Sequence, residues 1–498
     1  MKMNILLVSC KKLDWMQDSK GTIPLASLYL AGSLRAAGFN PIIVDLNLHP
    51  VQEGMSIDES DFQVLQKYIH ETDPLMVGFN CFVSQHFPFI MKASDHIKSY
   101  NSKVHITTGG SHPSLFPSEI IQNCPSIDSV AIGEAEEQIV AMAQALAADD
   151  TTRFSGIQAL AYRVDGQVVK NPRVNYISDL DSIPQAAWDL INLEDYYADH
   201  TGWHNPKNLE IKVSIPIPTS RSCPFSCNFC ACHATMGRMF RRRSPKKVVD
   251  EMEYLYKEFG MNYFGFIDDI VNLNKEHLIG ICDEILARKM DIQFEPTCGL
   301  YLARVDEDIA VAMARAGCTF ARLPIESGSD YMRTKIIGKK LPRENIFYAK
   351  KVLKDNGIRV STMSIMGFPE DTPETLQETY DLLLELNADL NYVFNLIPMP
   401  GSRVFDQALE ENLLLSHFDA TNLWRGDVEL DPVQSEQQYH LKPRNMTLDE
   451  LDVFREKFNK IRIMNPELRE QLFKENSIKN LPSHALKMQE GMLIQAGR

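Results

Sequence analysis

No uninterrupted apolar stretch in the 498 residues approaches the roughly 20 that span a bilayer, because charge breaks the longest runs. No transmembrane segment is therefore expected. The opening MKMNILLVSCKKLDW follows a short apolar run with lysines and an aspartate where a cleavage site would need small residues, so it does not read as a signal peptide. Positive charge is also scarce: 51 Lys and Arg against 66 Asp and Glu leave a net charge of −15. That balance argues against a nucleic-acid partner, since phosphate contacts need clustered cations. A cytoplasmic location is expected, where cysteines serve as thiols or metal ligands rather than disulfides. Two motifs are missing as well. No G-x-G-x-x-G follows the first apolar strand, which disfavours a dinucleotide, and no second C-x2-C pair exists to close a zinc site.

What is present is alternation. Over residues 1–150 short apolar runs (NILLVS, NPIIVDLN, LMVGFN, KVHITTGG, SVAIGE) alternate with segments of helical spacing, which predicts a doubly wound parallel α/β sheet. Ligands of such sheets bind at the carboxyl ends of the strands. Small and polar residues stand there: Ser9, Cys10 and Lys11, then Asn80 to Ser84, then Gly109, Gly110, Ser111 and His112, and finally Gly133 and Glu134. Residues 151–214 read as a connection containing a hairpin with a D-G turn, packed between two domains. Over residues 215–401 six further strand–helix units predict a partial or full parallel barrel, with working residues on loops after the strands. Residues 402–498 read as a charged, mainly helical region.

The densest chemistry lies in TSRSCPFSCNFCACH, which holds four of the ten cysteines. Cys223, Cys227 and Cys230 form C-x3-C-x2-C just after a strand. Cys232 or His233 could be imagined as a fourth zinc ligand, but each lies too near Cys230 in sequence to reach the same ion without strain. Three thiolates can instead hold an iron–sulfur cubane with one iron left open. Arg238, Arg241, Arg242 and Arg243 follow as the one dense basic run, either a solvated turn or an anion site beside the cluster.

With these residues the chain resembles the radical S-adenosylmethionine (SAM) superfamily. The resemblance implies that Cys223, Cys227 and Cys230 ligate a 4Fe–4S cluster, that SAM chelates the open iron, and that Phe229 lies against adenine. FIDD at 266–269, PIESGSD at 324–330 and SIMGFPEDTPET at 364–375 resemble the family's other SAM-contacting loops, which makes Asp268, Asp269, Glu326, Ser327 and Gly367 candidates. The N-terminal part is similar to the cobalamin-binding domain that precedes the barrel in one large subgroup. By that likeness Ser84, Gly109, Gly110, Ser111, His112, Gly133 and Glu134 are cobalamin candidates, although the D-x-H-x-x-G that supplies a cobalt ligand elsewhere is absent.

The activity implied is methyl transfer to an unactivated carbon, with two rivals: cyclisation or rearrangement without net methyl transfer, and a non-catalytic cobalamin or redox sensor. A methylthiotransferase would need Cys10, Cys81 and Cys124 as ligands of a second cluster, which their unequal spacing disfavours. The resemblance further implies a small-molecule, lipid or peptide substrate and a reductant such as flavodoxin or ferredoxin.

Overall fold

A computed structural model describes residues 3–11, 22–197, 205, 207, 209–415, 422–426 and 439–467. The first strand, β1 (Asn4–Ser9), buries four consecutive central residues, so both of its faces are covered as parallel sheets require. Around it stand β2 (Asn40–Asp45), β3 (Met76–Asn80), β4 (His105–Gly109), β5 (Ser129–Ala131), β6 (Leu160–Val164) and β7 (Gln167–Lys170), in the order β2-β1-β3-β4-β5-β6-β7. β1 pairs in parallel with β2 on one side and β3 on the other, so the order reverses between β1 and β3. That reversal is the switch point where doubly wound sheets bind ligands.

The expected connection over 151–214 divides in two. Its hairpin is not free-standing: β6 pairs antiparallel with β5, and β7 with β6, so the N-terminal sheet runs on to Lys170. The strands sit at the open edge, where local turn chemistry cannot tell a sequence reader whether a partner strand waits. The remainder is irregular and packs between the two halves. Trp188 and Tyr196 are almost wholly buried, with Trp188 Nε1 donating to Glu251 Oε1 at 2.8 Å and Tyr196 Oη to Asp45 Oδ2 at 2.8 Å.

The second half carries β8 (Ile215–Ile217), a two-residue ribbon of β9 (Ser220–Arg221) with β10 (Arg241–Arg242), and then β11 (Tyr263–Phe266), β12 (Gln293–Pro296), β13 (Phe320–Glu326), β14 (Arg359–Met366) and β15 (Leu390–Asn395). β8, β11 and β12 form one parallel sheet, and β13, β14 and β15 another. A single parallel bridge between Phe294 and Cys318 joins them, giving a six-stranded arc of partial-barrel type. The intervening helices are strongly capped. Ser244 Oγ accepts from Lys247 N before helix Pro245–Phe259, which ends at left-handed Gly260, and Thr372 with Thr375 forms a capping box before Pro373–Leu386. One large apolar cluster lies between these strands and helices, while two smaller ones cover the faces of the N-terminal sheet.

In the C-terminal region helices Arg403–Glu410 and Leu448–Lys460 form. The parts of the helical expectation at 416–421, 427–438 and from 468 on lie outside the described residues. Ile463 bridges antiparallel to Leu390, so this region covers the free edge of β15. Among the described residues no helix is long and apolar enough to cross a membrane.

Candidate active site

The cysteine loop leaves β9 and returns at β10, so the pairing of Arg221 with Arg241 pins both ends of residues 222–240. Ser222 enters in the left-handed region at φ 73°, with its hydroxyl bonded to Gly237 O at 2.7 Å. None of the ten cysteines is paired, and Cys223, Cys227 and Cys230 are all half-buried. Burial pushes the Cys223 and Cys227 thiols up, Cys227 to about 11, and the charges of neighbouring thiolates add to this. Cys230 moves the other way, to about 7, because the Cys232 thiol donates a hydrogen bond to it. Three soft thiol groups close enough to act on one another fit a multi-iron cluster. Cys232 acts first on Cys230, and the charges of Asp269 and Cys223 bear on it as well. Asn228 anchors the loop to the barrel, its N–H donating to Ile337 O at 2.9 Å and its carbonyl accepting from Val404 N at 3.0 Å.

The barrel loops place the other SAM candidates around this loop. Phe229 packs edge-on against Phe368, ring centroids 6.2 Å apart. Phe368 follows Gly367, which sits at φ 91° and would strain under any other residue. Asp371, which sequence reasoning missed, holds that turn: its Oδ2 accepts from Gly367 N at 2.8 Å and Phe368 N at 2.9 Å. Glu326 adopts φ 68° at a register shift in β13, a costly conformation for a non-glycine residue at a strand end. Its Oε1 pairs with Lys339 Nζ at 2.8 Å. Lys339 is a second residue without a sequence signal, and its charge favours the thiolates of Cys223 and Cys227. Ser327 is buried and turns inward, its hydroxyl 3.3 Å from Thr379 Oγ1.

The paired acids FIDD separate in role. Asp268 is buried and turns back, Oδ1 accepting from Thr219 N and Thr219 Oγ1 at 3.0 Å and from Ser220 Oγ at 2.6 Å. It buckles the start of the cysteine loop, while its Oδ2 has no protein partner. Asp269 is exposed; partial desolvation still raises its pKa, and its charge raises those of Cys223 and Cys232.

At the sheet, the seven cobalamin candidates do not act as one group. Gly133 and Glu134 face the barrel instead. A Cβ on Gly133 would lie 2.4 Å from Thr235 O, and the Glu134 carboxylate is ion-paired with Arg241 and with Arg221 at 3.4 Å. Gly110 is needed by its own sheet, since a Cβ there would meet Cys81 O at 2.5 Å. His112 is buried with both ring nitrogens engaged, Nδ1 with Ser84 Oγ and Nε2 with Trp424 O, each at 3.0 Å. Burial holds its pKa down to about 4, so it stays neutral, and Nε2 carries the proton because it faces a carbonyl. Ser111 is exposed, and Gly109 half-buried, on the same rim.

The strand-end run Asn80 to Ser84 stands at the switch point, and with it come two residues, Gln85 and His86, that carried no sequence signal. Phe82, just beyond β3, is 71% exposed. In the next turn the amide nitrogen of Gln85 and both ring nitrogens of His86 are buried without a protein partner. An exposed ring beside unpaired buried polar atoms fits a large ligand with apolar faces and polar edges, as cobalamin is.

The two mouths meet. Helix Ser111–Leu115 of the sheet rim packs on helix Cys232–Met236 of the cysteine loop, with Gly401 fitted against both Leu115 and Ala234. Two charged groups from each side lock this arrangement: Glu134 and Glu136 with Arg221 and Arg241.

Comparison with known proteins places these observations. The family model for the radical SAM superfamily matches residues 217–383, and that for the B12 binding domain matches residues 20–143. The chain is 30% identical over 436 residues, 86% of its own length and 87% of the relative's, to the protein called uncharacterized methyltransferase PH0819 of Pyrococcus horikoshii. It is 29% identical over 402 residues, 79% of this chain and 67% of the relative, to the anaerobic magnesium-protoporphyrin IX monomethyl ester cyclase of Rubrivivax gelatinosus. In fold it resembles the radical SAM methyltransferase TsrM of Kitasatospora setae, with a TM-score of 0.73 at 17% identity over 94% of this chain and 90% of that one. The chain belongs to the radical SAM superfamily, in the group that carries a B12-binding domain ahead of the barrel.

Proposed function

We propose that the protein is a cobalamin-dependent radical SAM methyltransferase acting on an unactivated carbon of a small-molecule, lipid or peptide substrate. The observation that carries this reading is the packing of Ser111–Leu115, at the sheet rim, against Cys232–Met236 of the cysteine loop, which brings the two proposed cofactor positions together. When bound, the cluster and SAM supply a carbon radical by hydrogen abstraction, and cobalamin supplies the methyl group. The chain's part is positioning and exclusion of water. Cys223, Cys227 and Cys230 are the residues to hold the cluster, and Lys339 supports their thiolate form. Phe229, Glu326, Ser327 and Gly367 flank the position for SAM, Asp269 stands beside Cys223, and Asp268 fixes the loop from behind. Ser84, Gly109, Gly110, Ser111 and Phe82 form the rim for cobalamin, whereas His112, engaged at both nitrogens, is unavailable as a cobalt ligand. Ten unpaired thiols suit a reducing cytoplasm.

The second reading, cyclisation or rearrangement without net methyl transfer, draws on the likeness to the Rubrivivax gelatinosus cyclase. One experiment separates them: anaerobic reconstitution with the cluster and cobalamin, then turnover with methyl-labelled SAM. Label in the product together with 5′-deoxyadenosine is the expected result. Product without label selects the second reading, and an intact cluster that cleaves no SAM defeats both.

A further inference from the structure

In the C-terminal region residues 439–446 are not helical but run as a strap along the second half of the molecule. Leu441 bridges antiparallel to Leu414, with Leu415 N donating to His440 O at 3.0 Å and Lys442 N to Leu413 O at 2.9 Å. Leu441 is buried in the small apolar cluster that holds Phe368 and against which Cys227 and Phe229 pack, and Met446 is buried in the large barrel cluster. Burial therefore anchors the strap at both ends.

Between those anchors stands Arg444. Its N–H donates to Pro369 O at 2.9 Å. Its guanidinium donates through Nη1 to Glu370 Oε1 at 3.0 Å and through Nε to Glu411 Oε2 at 2.6 Å, with Nη2 on the other Glu411 oxygen. Pro369 and Glu370 belong to the turn in which Asp371 holds Gly367 and Phe368. Glu411 follows helix Arg403–Glu410, which holds the cysteine loop through Val404 N on Asn228 O and Arg403 Nη2 on Ser226 O. Gln407 of that helix completes the tie, its Nε2 donating to Glu370 Oε1 at 2.7 Å. One arginine thus joins the turn that carries Gly367 to the helix that carries the cysteine loop. Without it two carboxylates would stand together with no cation between them. Glu370 is the more sensitive of the two, because its Oε2 is buried with no hydrogen-bond partner and its charge bears on Asp371.

We propose that Arg444 is a positioning residue for SAM: by clamping Glu370 and Glu411 it sets where the Gly367–Phe368 turn stands against Phe229, the ring assigned to adenine. This deepens the SAM reading above and rests on it. Arg444 is itself exposed, and exposed ion pairs contribute little to stability, so the clamp governs the placement of the turn rather than the folding of the chain. Its planar fork spans both oxygens of Glu411 while a further nitrogen reaches Glu370, a geometry that the single ammonium of lysine does not reproduce.

The test compares wild type with Arg444→Met and Arg444→Lys, all loaded with cluster, by hydrogen–deuterium exchange and by titration of SAM followed through the electron paramagnetic resonance signal of the reduced cluster. Arg444→Met is expected to exchange faster at residues 365–371 and to raise the SAM dissociation constant on the order of 10-fold, with cluster content, cobalamin content and urea midpoint unchanged. Arg444→Lys keeps the charge without the fork and recovers part of the affinity. Arg444→Met combined with Glu370→Gln recovers most of it, because the carboxylate left unpaired is removed as well. Wild-type SAM affinity in Arg444→Met overturns the proposal, and so does a fall in affinity matched by a fall in cluster content or midpoint, which reports loss of fold. A reduced wild-type cluster whose signal does not respond to SAM defeats the SAM reading itself, and this proposal with it.

Discussion

Asp371 is nearly fully buried, and burial raises its pKa to about 7 even though two backbone N–H groups and Thr375 Oγ1 favour its charged form. The folded state therefore binds a proton that the unfolded chain, with an aspartate near 3.9, has already released between pH 4 and 7. The stability this contributes is complete below pH 4 and is lost as pH rises through 7, on the order of 4 kcal/mol in all. Asp371→Asn keeps an acceptor for Gly367 N and Phe368 N but cannot ionise. Urea titrations at a series of pH values are expected to show wild type losing stability relative to this variant between pH 4 and 7; a pH-independent difference would refute it. The three cysteine ligands proposed here were legible because their spacing is local and their chemistry rare. Asp371 and Lys339 were not, since acids and lysines are common and only the fold shows which ones meet a strained turn or a thiol.

Among the elements, the short turn at residues 422–426 reaches furthest from its place in sequence. Trp424 packs into the apolar cluster of the N-terminal sheet and lends its carbonyl to His112. Gly426, at φ 72°, sits so close to β3's outgoing turn that a Cβ would lie 2.1 Å from Ser84 O. Gly426→Ala is expected to lift this turn from the sheet rim and to cost about 1–3 kcal/mol through backbone strain and clash. Chemical denaturation measures that cost, and a wild-type midpoint would show that the turn contributes nothing. Sequence reasoning found no function in the C-terminal region. Nothing in the local pattern NLWRG says that it will fold back over a rim more than 300 residues earlier. By contrast, the strands and helices of both halves were legible from periodicity, because each alternation is decided within a few residues. The edge hairpin at β6 and β7 was recognised as a hairpin but not as sheet, since strand pairing is a long-range choice.

Across the whole molecule, the two halves share an interface in which charge is buried rather than screened. Arg241 and Glu134 are both almost fully inaccessible, Arg221 reaches Glu134 and Glu136, and Glu251 gathers Tyr29, Trp188 and Arg243. Removing one partner of such a group leaves the other charge desolvated and unpaired. Glu134→Ala is expected to destabilise the protein by about 3–5 kcal/mol, read as a lowered urea midpoint. Replacing Arg241 by Met in the same chain is expected to recover much of that loss, because the pair is then removed together. A neutral single variant would show that the interface is held by its apolar contacts alone.

The sequence by itself determined the two parallel α/β halves, their order, the three-cysteine loop and the family, because periodicity, ligand spacing and rare residue types are properties of short segments. Tertiary structure decided which predicted site residues serve which task. It turned Glu134 and Gly133 into interface residues, occupied His112 on both nitrogens, set Asp268 behind the loop and Asp269 before it, and split one basic run into buried Arg241 and exposed Arg238 and Arg242. Those outcomes depend on charges and backbone groups brought together from distant parts of the chain, and burial rather than residue type sets what each can do.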